Sequence, residues 1–127
     1  MSNKRQCGFT LIEVLVVLAI IATLLSLVTP RYFSTIDRSK ETVLRHDLYV
    51  VRDAIDKFYS DNNRFPNTLE ELVQRKYIRQ VPQDPITESQ VSWVFTPPSD
   101  RYIEGIIADL HSGSDGIAAD GTRYASW

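Results

Sequence analysis

Nineteen residues from Leu11 to Thr29 carry a single charge, the acid Glu13. As an α-helix this run would span roughly 28 Å at about 1.5 Å per residue, close to the thickness of a bilayer's hydrocarbon layer. Lipid offers backbone amides no water, so a helix is the form in which a lone apolar run satisfies its own polar groups there. Val, Leu, Ile and Ala fill the run, with Thr23 and Ser26 among them. An ionised carboxylate in hydrocarbon costs about 2.5 kcal/mol or more even on lenient insertion scales, so Glu13 reads as a functional group that needs a partner. Residues four apart share a helical face, which puts Phe9 beside Glu13.

Lys4 and Arg5 lead into Gly8-Phe9-Thr10-Leu11-Ile12-Glu13. This unit, with its basic head and the apolar helix behind it, resembles the processing site of type IV pilins and type II secretion pseudopilins. The resemblance implies that residues 1–8 are a leader, cut after Gly8 by a prepilin peptidase that also N-methylates Phe9. It further implies that Glu13 assists assembly by meeting the new amine on Phe9, its own or that of a neighbouring copy. An uncleaved signal anchor would account for the apolar run but not for the hexapeptide. A secretory signal peptide would end in a small-residue cleavage site, which Pro30-Arg31-Tyr32 does not supply. A lipobox at Cys7 would need apolar residues before it, where Lys4-Arg5-Gln6 stand. The basic head favours a cytoplasmic N-terminus. Arg31 and Arg38 weaken that bias, and the cytoplasmic action of the family's peptidase restores it.

The formal charge is −2, and loss of Lys4 and Arg5 with the leader would take it to −4. Phosphate binding wants a basic face, so nucleic acid is not an expected partner. Cys7 is the single cysteine. Without it an exported domain is held by packing, or by packing plus a metal. Roughly 95 residues follow the apolar run, enough for one modest core.

Beyond Pro30, Leu44, Leu48, Val51, Ile55 and Phe58 recur at steps of four and three, an apolar stripe on one helical face. Arg45, Asp47, Arg52, Asp53, Asp56 and Lys57 lie between them and read as a solvated opposite face. The pattern predicts one helix from about Phe9 to Ser60, kinked at Pro30, where pilin-like chains also carry a proline. Asp61-Asn62-Asn63-Arg64 should end it, since Asn tolerates a left-handed cap. Thr68 and Glu71 have capping-box spacing for a short helix with Leu69, Leu72 and Val73 inward. Pro82 and Pro85 make the next stretch a loop or edge strand. Val91, Trp93 and Phe95 alternate with Ser92, Val94 and Thr96 as in a half-buried strand, and Gly105 to Leu110 reads as a second. There is room for a short final strand around 123–126. The expected fold is α+β, a long N-terminal helix on a small antiparallel sheet. Its expected parts are the leader 1–8, the transmembrane and assembly half 9–30, and a periplasmic domain 31–127.

The C-terminal run sets Asp109, Ser112, Ser114, Asp115 and Asp120 among Gly113, Gly116 and Gly121. Calcium takes six to eight oxygens from such loops. This stretch, with its terminal Ser126-Trp127, resembles the end of major pseudopilins, and the resemblance implies a calcium site there. Asp115 and Asp120 are its first candidate ligands, with Asp109 and Ser112 behind them. The loop is shorter than the family's, and the same residues are ordinary turn formers. Catalysis has little support. His111 lies beside Asp109 and Ser112, but Ser112 faces the other side of the strand, and no nucleophile elbow is present.

The chain resembles most closely the major pseudopilin of a type II secretion system. That resemblance implies a non-enzymatic, single-pass inner-membrane protein. Its subunits polymerise into a helical filament with minor pseudopilins and an assembly platform as partners, and the filament drives protein export. A type IV pilus subunit, major or minor, is the alternative. A membrane-anchored periplasmic binding module is the alternative from another class.

Overall fold

The computed structural model describes residues 8–127. Residues 1–7 of the expected leader, with Lys4, Arg5 and Cys7, lie outside the described residues.

Helix α1 runs Leu11–Asn62 and contains Pro30. It begins two residues later than expected because Thr10 caps it. The Thr10 hydroxyl accepts from the Glu13 N–H at 3.2 Å, and its carbonyl accepts from the Val14 N–H at 3.2 Å. Thr10 and Glu13 thus have capping-box spacing, and the acid lies in the first turn, where it complements the helix dipole. Further along, the hydroxyls of Thr23, Ser26 and Thr29 donate to the carbonyls of Ala19, Thr23 and Leu25 at 2.8, 2.7 and 2.7 Å. Bonded within the helix, these three hydroxyls need no water in an apolar environment. Pro30 has no N–H to offer the Ser26 carbonyl.

The chain divides into two units, one ending at Ile36 and one running from Asp37 to Trp127. In the first, the large apolar side chains from Leu11 to Val28 are all exposed. In the second they form a core. Leu44, Leu48, Val51, Ile55 and Phe58 are each 2% exposed or less, so the predicted stripe is the buried face of α1. Full burial of side chains of this size contributes about 1.5–3 kcal/mol each. Ala54, Leu69, Leu72, Ile78, Trp93, Ile107, Leu110, Ala118 and Tyr124 complete the cluster.

Asn63 (φ 54°) ends α1 in the left-handed conformation, as its sequence suggests. Helix α2, Leu69–Gln74, starts at Thr68, whose hydroxyl accepts from the Glu71 N–H at 3.1 Å. The Glu71 carboxylate accepts from the Asn67 N–H at 2.9 Å and pairs with Arg64. The Arg64 guanidinium holds the Glu71 carboxyl below the usual range, against the opposing effect of burial.

The sheet is smaller than the sequence suggests. Strand β1, Val94–Thr96, pairs antiparallel with β2, Asp109–His111, in the register Val94–His111, Phe95–Leu110 and Thr96–Asp109. The expected alternation from Val91 fails. Trp93 is buried with its indole N–H donated to the Pro82 carbonyl at 2.9 Å, but Val91 is 93% exposed and Phe95 41%. Pleating begins only at Val94, so the period-2 pattern has no sheet beneath it at Val91. The strand expected over Gly105 to Leu110 is also shorter. The N–H groups of Ile106 and Ile107 both donate to the Pro66 carbonyl, at 3.2 and 3.0 Å, so this stretch packs against the turn after α1 before it joins β1. Gly105 (φ 117°) permits that approach, since a Cβ there would lie 2.3 Å from the Phe65 carbonyl oxygen. Residues 124–126 form a 3-10 turn, Tyr124–Ser126, in place of a final strand.

Candidate functional site

Two places hold the residues singled out by sequence. The first is the head of α1. Phe9, Glu13, Val14, Val17 and Leu18 line one shallow apolar groove, so Phe9 and Glu13 do share a face. Phe9 is 80% exposed, and a Cβ at Gly8 before it would meet nothing within 4 Å among the described residues.

The second is the C-terminal segment, where the candidate calcium ligands do not converge. Asp109 accepts from Arg52 Nε at 2.7 Å. The Ser112 hydroxyl is buried and donates to Asp84 Oδ2 at 2.5 Å. Asp120 Oδ1 accepts from the N–H and the hydroxyl of Thr122 at 2.9 and 2.6 Å, and Oδ2 lies 3.7 Å from Arg45. The Thr122 hydroxyl bond, then its N–H, hold the Asp120 carboxyl below the usual range. Asp115 is exposed on its own. Among the described residues no three His, Cys, Asp or Glu side chains are grouped as metal ligands would be. These four side chains therefore offer a cation no common point. Nor is there a Ser-His-Asp relay, because the Ser112 hydroxyl goes to Asp84 and His111 Nδ1 lies 2.7 Å from the Trp127 carbonyl oxygen.

What organises this segment is a polar stripe on α1, of which the sequence reading assigned Arg45 and Arg52 to solvent and passed over Glu41. Glu41, Arg45 and Arg52 sit with Leu48 at steps of four, three and four, on one helical face. Glu41 Oε1 accepts from the Ala119 N–H at 2.8 Å and the Tyr124 hydroxyl at 2.9 Å. Burial, reinforced by Glu41, pushes the Tyr124 hydroxyl up to about 12. The Arg45 guanidinium lies 4.2 Å from the Trp127 ring centroid. Arg52 donates to the Leu110 and Trp127 carbonyls at 3.0 and 2.6 Å as well as to Asp109. A stripe at heptad spacing beside the apolar one was the available signal.

Sequence reading also passed over Asp84. This carboxylate is fully buried. Its Oδ1 accepts from the N–H groups of Ile86 and Thr87 at 2.9 and 3.4 Å, and Oδ2 takes the Ser112 hydroxyl. It therefore joins the proline-flanked loop to the exit of β2.

Comparison with known proteins agrees with the geometry at the head of α1. Residues 3–29 match the prokaryotic N-terminal methylation motif. The type II secretion system core protein G of Aeromonas hydrophila is 35% identical over 101 residues, 67% of this chain and 71% of the relative. That of Escherichia coli K12 is 32% identical over 142 residues, 99% of this chain and 94% of the relative. That of Klebsiella michiganensis is 29% identical, and its alignment runs over 143 positions where this chain has 127 residues, so the relative carries residues absent here. No solved structure matches the chain significantly. The first half of α1 is long and apolar enough to cross a membrane and bears the methylation motif at its head, so the chain is membrane-anchored. On these likenesses the chain belongs to the type II secretion system core protein G family, the major pseudopilins.

Proposed function

We propose that this chain is a non-enzymatic structural subunit, which polymerises into the pseudopilus of a type II secretion system and so drives protein export across the outer membrane. The observation that carries the proposal is the shared groove of Phe9 and Glu13 at the head of a helix with apolar side chains exposed on every face, inside the matched methylation motif. The precursor sits in the inner membrane with its leader in the cytoplasm and its folded domain in the periplasm. A prepilin peptidase cuts after Gly8 and methylates Phe9. An assembly platform then draws the subunit out of the bilayer into a helical filament of its own copies, with minor pseudopilins alongside.

Lipid and helix bundle are both apolar, so this transfer changes the hydrophobic term little. A charged contact selects the register instead. Glu13 of the entering subunit meets the Phe9 amine of a copy already in place, and a missed contact leaves a buried charge unpaired, which costs about 3–5 kcal/mol.

The intact mass of the natural protein tests processing. It should correspond to a chain that begins at Phe9 and carries one added methyl group, and retention of residues 1–8 would refute the proposal. Glu13→Ala should leave that mass change in place and abolish filaments, so normal filaments from this variant would remove the register mechanism. Deletion of the gene should stop export of a folded protein. Loss of surface fibres and twitching with export intact would assign the chain to a type IV pilus instead.

A further inference from the structure

The C-terminal segment presents a side-chain carboxylate and two main-chain oxygens, from Asp109, Leu110 and Trp127, to a single point on α1. That is a donor set a hard cation such as calcium would take. Here the positive charge at that point belongs to Arg52. Its planar fork reaches all three oxygens at 2.6–3.0 Å, and a guanidinium holds its charge at any physiological pH. Asp120, the acid that lines the same cavity, faces Arg45 at 3.7 Å, and the same guanidinium covers the Trp127 ring. Arg45, Arg52, Asp120 and Trp127 line one cavity. A divalent ion entering it would meet two fixed cations and find the Asp109 carboxylate already paired.

We propose that the guanidinium of Arg52, supported by Arg45, does in this chain what a bound metal would do, clamping the C-terminal segment to α1, and that the folded domain neither binds calcium nor needs it. The proposal concerns the stability of the domain and does not depend on the filament role.

The test is thermal unfolding of the full chain in detergent, with excess calcium and with a chelator, alongside calorimetric titration with calcium chloride. The melting temperature should be the same under both conditions, and titration should give no saturable heat. A site filled at a hundred times its Kd would raise the melting temperature of a domain this size by roughly 10 °C or more, and a rise of that order would overturn the proposal. Arg52→Gln should melt lower than the unaltered chain and release its C-terminal segment to protease first. An unchanged melting temperature and digestion pattern would refute the clamp. Should Arg52→Gln fail to fold, Arg52→Lys keeps the charge without the fork and should melt between failure and the unaltered chain. A Lys variant as stable as the unaltered chain would refute the three-oxygen clamp, and the calcium comparison on the unaltered chain stands independently.

Discussion

Removing the Asp84 carboxylate should detach the proline-flanked loop from the rest of the domain. Asp84→Ala strands the buried Ser112 hydroxyl and the Ile86 N–H, which lose their acceptors at 2.5 and 2.9 Å. The Thr87 contact is longer and weaker, at 3.4 Å. Buried polar groups left without partners cost about 1–3 kcal/mol each, and relief of the buried charge offsets part of this, so the net loss is about 3 kcal/mol. At about 4–8 °C per kcal/mol for a domain of this size, the melting temperature should fall by roughly 12–24 °C. Asp84→Asn keeps an acceptor for the backbone N–H groups and should cost only about 1 kcal/mol. Ser112→Ala strands Oδ2 instead, and the double alanine variant should lose less than the sum of the two single ones, since both break one contact. Thermal unfolding of the full chain in detergent, followed by near-ultraviolet circular dichroism, reads the buried Trp93, whose indole is tied to Pro82 in the same loop. An Asp84→Ala chain as stable as the control Asp115→Ala, at an exposed acid, would show this reasoning to be wrong.

Tyr124 keeps its proton in the folded state up to about 12, above the value near 10 of an unfolded tyrosine. Its contribution to stability is therefore complete below about pH 10 and disappears as pH rises towards the folded value. Tyr124→Phe should cost about 1 kcal/mol at neutral pH through the lost bond to Glu41 and should flatten the alkaline fall in melting temperature, so parallel profiles for the two chains would exclude this role. At Asp47, burial raises the carboxyl above its usual range, with His46 opposing and Asp84 adding to the shift. A raised folded value favours the fold only at low pH, so the charged Asp47 is a liability at pH 7. Asp47→Asn should then melt above the unaltered chain at pH 7, with the difference closing below about pH 4, and a lower melting temperature at pH 7 would contradict it.

Local pattern made α1 legible almost to its ends, because the spacing of Leu44, Leu48, Val51, Ile55 and Phe58 is itself the geometry of a helical face. The caps at Thr68 and Asn63 were equally readable, since each uses only neighbouring backbone groups. The sheet was legible only in outline. Alternation at Val91, Trp93 and Phe95 records apolar side chains but not where pairing starts, and pairing here depends on a partner thirteen or more residues away. At the C-terminal segment composition left two readings open, since acids and glycines suit a metal loop and an ordinary turn alike. The approach of Arg52 to Asp109, 57 residues distant, is written in neither.

Sequence by itself determined the membrane-length helix, the lone acid Glu13 in its first turn and the inward face of α1. Each is a sum over adjacent residues, of transfer free energy or of helical period, and needs no knowledge of how the chain closes. Tertiary structure alone decided that Arg52 and Arg45 hold the C-terminal segment, that Asp84 is buried against Ser112, and that the candidate calcium ligands stay apart. Those outcomes depend on which distant group arrives in contact, and a charge of either sign beside an apolar stripe looks the same in sequence whether it meets water or a partner.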